Sequence, residues 1–432
     1  MNKALFDYIK SSPTAYHATA HTATLLAGAG YTELPESAEW KLEAGKGYYV
    51  TRNGSSLIAF RIPASGEIKS FMMTAAHDDT PGFKVKENAE LTDGHYLRLS
   101  VERYGGVQYP SWLDRPLSIA GRVIIRTEKG LASRLVDFGK TCAFIPNVAL
   151  HMMNTNNGMN YNPAVDMVPL FGEASEAGSF RKQICEMIGV AEEDILTTDL
   201  FVYCNQEGIE WGNFISVPRL DDLQCAFASF TAFMESGKTH AKADSCPVFC
   251  LFDNEEVGSQ TKQGAASTFL SDTLIRIGGA LGLSNGDIAR TLASSFMVSC
   301  DNAHAVHPNH SEFKDGNHCT YMNQGIVVKY NASQKYTTDG ISAAIFGLIC
   351  EKAGVPVQRF ANRADMGGGS TLGNIANTQV SLNTIDIGLP QLAMHSAYET
   401  AGAKDTEMMV RALTLFFNST VRADGSGAYA LL

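Results

Sequence analysis

The chain has 432 residues, of which 45% are hydrophobic and 18% charged, a composition that excludes a disordered or fibrous protein and a length that exceeds one ordinary core. Its formal charge of −11 offers no basic surface to nucleic acid or an anionic membrane, and nowhere do about 18 uninterrupted apolar residues occur to span a bilayer. The 9 cysteines are scattered singly, without a C-x-x-C, as expected of free thiols in a reducing compartment rather than of a disulfide scaffold or zinc ribbon.

In chain order, the N-terminal MNKALFDYIKSSPTAYHA predicts a short amphipathic helix and lacks the apolar core of a signal peptide, so the expected location is cytoplasmic. Apolar runs of strand length follow at SLIAFRI (56–62), SFMMTAAH (70–77), CPVFCLF (246–252), SSFMVSC (294–300), GIVVKY (325–330) and VPVQRF (355–360). Helical spacing of apolar residues marks LQCAFASFTAFMES (223–236) and the final KDTEMMVRALTLFFNSTV (404–421). This alternation predicts an α/β fold with a sheet flanked by helices. Residues 85–208 differ, with short strand-like pieces such as HYLRLSVERYGG and few helical patterns before about residue 174. They read as a β-rich domain inserted between two parts of an α/β domain, 1–84 and 209–432.

Polar residues stand where the apolar runs stop, and open α/β sheets place their active sites at the carboxyl ends of strands. His77 and Asp79 form an H-x-D group after SFMMTAA. Asp221 and Asp222 precede a helix, and FDNEEVG carries Asp253, Glu255 and Glu256. Asp301, His304, His307 and His310 follow SSFMVSC, and His395 lies in LAMHSAYE. Each signal alone has a plain structural reading: aspartates before a helix are commonly N-caps, a lone histidine is commonly structural, and Glu-Glu after a strand is commonly a solvated loop. Together, histidines and carboxylates at strand ends supply the N and O ligands suited to a pair of divalent cations, with one carboxylate bridging them. The H-x-D aspartate is placed to orient its histidine. Adjacent glutamates diverge at a strand end, so one can bind metal while the other serves as general base.

The sequence resembles the aspartyl aminopeptidase family of dinuclear zinc metallopeptidases over nearly its whole length. The matching segments include AAHDDTP (75–81), YGGVQYPSWLDRPLSIAGRV (104–123), IPNVALHM (145–152), SVPRLDDL (216–223), FDNEEVGSQTKQGAAS (252–267), DNAHAVHPNH (301–310), GIVVKYNASQKYTTDG (325–340), GGGSTLGNI (367–375) and QLAMHSAYE (391–399). The resemblance implies His77, Asp221, Glu256, Asp301 and His395 as ligands of two metal ions, zinc with cobalt or manganese as alternatives, and Asp221 as the bridge. It implies Glu255 as the general base and Asp79 as the residue orienting His77. It implies that His151, His304, Lys329 and Tyr336 contact substrate or the developing oxyanion, with His151 on the inserted dimerisation domain and reaching a neighbouring subunit. The implied activity is removal of N-terminal residues, Asp or Glu preferred, from peptides with a free amino terminus, in a homo-dodecamer built from dimers. A broader or hydrophobic preference, another dinuclear hydrolase on a related core, and a noncatalytic peptide- or cargo-binding scaffold are the alternatives. The family's H-T-D-S-P is H-D-D-T-P here, which adds Asp78, and Tyr398 and Gly368 replace an arginine and a cysteine of eukaryotic members.

Overall fold

A computed structural model describes residues 1–152, 160–238, 244–423, 425 and 427–432. A nine-stranded sheet runs in the order Thr32–Glu33, Gly47–Arg52, Ser56–Arg61, Ser245–Phe252, Ser70–His77, Phe296–Cys300, Asn383–Gly388, Ile326–Tyr330 and Val357–Ala361. Ser245–Phe252, Ser70–His77, Phe296–Cys300 and Asn383–Gly388 are mutually parallel neighbours. Every residue of Ser70–His77 and Ser245–Phe252 is buried, which accounts for their continuous apolar character where a half-exposed strand would alternate.

Helices cover both faces. On one side Leu220–Ser236, Gly340–Ala353 and Asp405–Phe417 set Phe233, Phe346 and Phe416 against Met72, Phe249 and Val298. On the other, Phe269–Ala280 packs Phe269 and Leu274 against Phe71, Met73 and Val248. Gly340–Ala353 starts where its pattern says it should, because Asp339 and Ser342 form a capping box.

The N-terminus differs from the single short helix expected. It holds two helices, Asn2–Lys10 and Ala15–Gly28, because Pro13 has no amide hydrogen to continue the first ladder and disfavours helical geometry in the residue before it.

A second, six-stranded antiparallel sheet is drawn from residues 82–204, in the order Gly130–Asp137, Leu117–Thr127, Ile195–Cys204, Gly82–Thr92, Tyr96–Tyr104 and Leu170–Glu173. It has its own core, with Phe83, Leu99, Trp112, Ile119 and Leu200 buried together. A small five-stranded sheet, in the order Ile209–Trp211, Phe214–Val217, Glu399–Gly402, Pro390–Leu392 and Ala303–His304, ties together segments distant in sequence. Its register sets Glu399 opposite Val217.

Candidate metal centre

Three adjacent parallel strands deliver one end of the site. His77 ends its strand and pairs in register with Phe252, so Asp253–Glu256 emerge beside it, while Asp301 follows Cys300 on the other flank. Asn254, in the left-handed region at φ 66°, turns the chain into the short helical turn Glu255–Val257. The other end comes from the small sheet. Asp221 follows Phe214–Val217, and His395, at φ 66°, sits in the turn between Pro390–Leu392 and Glu399–Gly402. Left-handed backbone at a non-glycine residue is held in place only by its surroundings, and it clusters at functional loops.

Asp221 lies between the two halves. Its Oδ1 is 3.5 Å from His77 Nε2 and its Oδ2 is 3.5 Å from His395 Nε2. His395 Nε2 is also 3.5 Å from Glu256 Oε2. Ligand atoms about 2.0–2.2 Å from a tetrahedral zinc stand roughly 3.3–3.6 Å apart, so these separations fit cation coordination. His77, Asp221 and Glu256 each bring a ligand atom to within 4.8 Å of the others, as do Asp221, Asp222 and Asp301. Asp221 Oδ1 is buried and takes no hydrogen bond, a costly state for a carboxylate oxygen unless a cation satisfies it. The donor set of His77, Asp221, Glu256, Asp301 and His395, carboxylate oxygens with imidazole nitrogens, therefore fits divalent cations such as zinc.

Electrostatics point the same way. Burial, then the Asp221 charge, drives the Glu256 carboxyl well above its usual range, and burial raises Asp301 as well. Glu255 is pushed up to about 8 by burial and the carboxylates of Asp301, Asp79 and Asp221, against the opposing pull of His77. So many buried acids within one cluster call for compensating positive charge.

The surrounding groups fix this geometry. His77 Nδ1 donates to the main-chain carbonyl of Asp79 at 3.0 Å, with the Asp79 carboxylate further off at 3.4 Å; this bond leaves Nε2 free to face Asp221. The Asp79 carboxylate accepts instead from Glu255 N at 3.0 Å, Glu256 N at 3.1 Å and Tyr104 Oη at 2.8 Å. The Asp222 side chain accepts from His77 N and Asn302 N, whereas neither Asp221 nor Asp222 acts as an N-cap, that position being Arg219. Gly105, at φ 71°, passes the inner face of Glu256 so closely that an added Cβ would stand 3.1 Å from the Glu256 Cβ. The Gly106 carbonyl meets His395 Nδ1 at 2.9 Å. Tyr104 and Glu399 were not singled out from the sequence as site residues; what marks them is hydrogen bonding to main-chain groups and to Asp79.

Lys329, Tyr336, His304 and Glu255 line one cleft with His77, Asp221, Asp301 and His395. Lys329 is buried, with Nζ 3.5 Å from Asp301 Oδ1 and 5.5 Å from the centroid of the Tyr336 ring. His307 and His310 lie in an adjoining hollow, and His310 is exposed and paired with Glu312 at 3.1 Å. His151, on the turn Leu150–Met152, is exposed and does not line the cleft of its own chain. Asp253 is buried and structural, its Oδ1 taking Asn254 N at 2.7 Å. Asp78 lies buried under the site with Thr19 donating to it at 3.0 Å. Tyr398 Oη donates to the Glu207 carbonyl at 2.7 Å, and the Asn362 amide fills the space that a side chain at Gly368 would take.

Residues 8–417 match the family model of the aminopeptidase I zinc metalloproteases, M18. The chain is 40% identical over 432 aligned residues to a probable M18 family aminopeptidase 2 of Pseudomonas paraeruginosa, covering 97% of this chain and 98% of that one. Among solved structures it is similar to a chain in the cryo-EM structure of the Ape4 and Nbr1 complex, with a TM-score of 0.92, 32% identity and coverage of 96% of this chain and 85% of that one. It is also similar to the S. cerevesiae mApe1 dodecamer, with a TM-score of 0.84, 27% identity and coverage of 96% and 95%.

Proposed function

The chain belongs to the M18 family of aminopeptidase I zinc metalloproteases, and on that premise we propose that it is a dinuclear metal-dependent aminopeptidase preferring peptides that begin with Asp or Glu. The observation that carries the dinuclear reading is Asp221, whose two oxygens stand 3.5 Å from two different histidines. His77 and Asp301 with Asp221 would hold one ion, zinc in this reading, and Glu256 and His395 with Asp221 the other. When bound, such ions polarise a carbonyl as Lewis acids and lower the pKa of water.

The remaining steps belong to the chain's own groups. The Glu255 carboxylate takes a proton from the attacking water and delivers it to the leaving amine, a task that favours a pKa near the working pH. Tyr336 and His304 donate hydrogen bonds to the oxyanion of the tetrahedral intermediate. Unpaired carboxylate edges of the cleft receive the substrate's ammonium group, which excludes acylated amino termini. Lys329, held charged in a buried setting, attracts the side-chain carboxylate of an N-terminal Asp or Glu. His151 contacts the substrate of a neighbouring subunit.

The assembly in this reading is a homo-dodecamer built from dimers through the β-rich insert. Its support is the dodecamer of the similar S. cerevesiae protein and the exposed Leu131, Leu135, Leu150 and Met152 on the insert. Free cysteines throughout suit work in the cytoplasm; among the described residues no helix is long and apolar enough to cross a membrane.

The deciding experiment removes metal with a chelator, reconstitutes with zinc, cobalt or manganese, and assays a panel of aminoacyl anilides and peptides with free and acetylated amino termini. Cleavage restored by two ions per chain and blocked by acetylation is the expected result. Activity that survives full metal removal would overturn it.

A further inference from the structure

Resting on the reading above, we propose that Glu399 is a positioning residue that sets the spacing of Asp221 and His395 and so tunes the cation position those two share. Its carboxylate takes two main-chain donors at once: Asp221 N at 3.0 Å through Oε2 and His395 N at 2.8 Å through Oε1. The two amides lie 174 residues apart in sequence and are joined by this one side chain, itself only 2% exposed.

The small sheet makes this possible. Glu399 pairs with Val217 in register, which brings it beside the segment leading into Asp221, while the turn from Leu392 returns His395 over it. His395 needs such a hold, because its φ of 66° is a left-handed conformation that a non-glycine residue rarely keeps unaided. The clamp also extends toward a third residue of the centre. Gln391 Nε2 donates to Glu399 Oε1 at 3.3 Å, and Gln391 Oε1 accepts from Asn302 Nδ2 at 2.6 Å, next in sequence to Asp301. Glu399 makes its contacts with two backbone amides and the Gln391 side chain rather than with the cleft of Glu255 and Lys329, whose lining does not include it. It therefore acts through Asp221 and His395, not on substrate.

Glu399→Gln tests this, since the amide keeps one acceptor oxygen and turns an NH2 group toward the other N–H. Metal-free wild type and variant are titrated with Co2+, following the visible absorption bands of each bound ion together with ion content. The expected result is that one class of site weakens by about 10–100-fold, as loss of a supporting partner typically does, with altered bands, while the other class changes less than about threefold. Binding and spectra like wild type, or equal weakening of both classes, would overturn the proposal. A measurement that needs no variant guards against misfolding: hydrogen exchange in the wild type, where slow exchange at the His395 amide is expected despite its place in a surface turn. Exchange there as fast as in a solvated loop would overturn it as well. A wild type that takes up no Co2+ and cleaves no peptide would instead sink the functional reading itself, and so the two failures are told apart.

Discussion

Asp79 holds Glu255 by its backbone: Oδ1 of Asp79 accepts the Glu255 N–H at 3.0 Å. The same carboxylate takes the N–H of Glu256 at 3.1 Å, so one anchor orients two adjacent residues while leaving both side chains free to diverge. Glu256 then lies against His395 and Glu255 faces the cleft. The proposed division between metal binding at Glu256 and proton transfer at Glu255 rests on that arrangement.

Glu255→Gln keeps the shape of the side chain and removes its ability to take a proton. Turnover should fall by about 10²–10⁴-fold, the usual size of a general acid–base contribution, with ion content per chain unchanged. Steady-state assays alongside elemental analysis check both halves, and retained turnover would remove Glu255 from the mechanism.

Lys329 has two possible customers, a substrate carboxylate and Asp301. Burial opposes its charge, but the Asp301 carboxylate and neighbouring groups outweigh burial and push its pKa up. Lys329→Met should lower kcat/KM for an Asp-anilide by about 10–100-fold, the worth of roughly 1.5–3 kcal/mol for a hydrogen bond to a charged group, and change that for a Leu-anilide by less than about threefold. Equal losses on both substrates would mean that Lys329 serves Asp301 alone.

How much of this was legible in the sequence depends on the kind of contact involved. The strands that carry His77, Asp301 and the Glu255–Glu256 pair showed themselves because they are buried on both faces and end abruptly in polar residues. The change of periodicity after residue 85 coincides with the six-stranded sheet drawn from residues 82–204. Glu399 was invisible from the sequence because its partners at Asp221 and His395 are main-chain amides, reached through a cross-strand register with Val217 that no local pattern encodes. The nearer acceptor for His77 was equally hidden: an H-x-D spacing suggests the carboxylate, whereas the chain turns so that the carbonyl of Asp79 arrives first. The break at Pro13 was written in the sequence, and the helix expected to run through it stops at Lys10.

Metal removal should expose the strain of the carboxylate cluster as a pH dependence. Burial raises Glu255 from 4.5 to about 8, with carboxylate neighbours adding to it, and burial with the Asp79 charge raises Asp253 from 3.8 to about 7. Between those limits these two groups keep, in the folded metal-free chain, protons that the unfolded chain has released, so their contribution to stability is fully present below about pH 4 and is lost as pH rises toward 8. The Tm of chelated protein should therefore decline from pH 5 to pH 8, and excess zinc should flatten the decline by binding only the folded form. A Tm that climbs over this range without metal would contradict the assignment of these groups as buried and unneutralised.

The six-stranded sheet carries its own test of assembly. Leu131 and Leu135 are 68% and 40% exposed on the strand Gly130–Asp137, and residues four apart on a strand point to the same side, so the two leucines, with Ser133 between them, form an exposed strip on one face. A strip at a sheet edge is a template for association. Leu131→Asp combined with Leu135→Asp should place two charges in any interface that buries them and shift the protein to smaller species by light scattering, while its metal content stays at the wild-type value because the strand lies outside the centre. If the oligomer also completes the site through His151, activity should fall with the loss of assembly, and His151→Ala in the intact oligomer should lower kcat with ion content unchanged. An unaltered mass for the double variant would move the interface away from this strand.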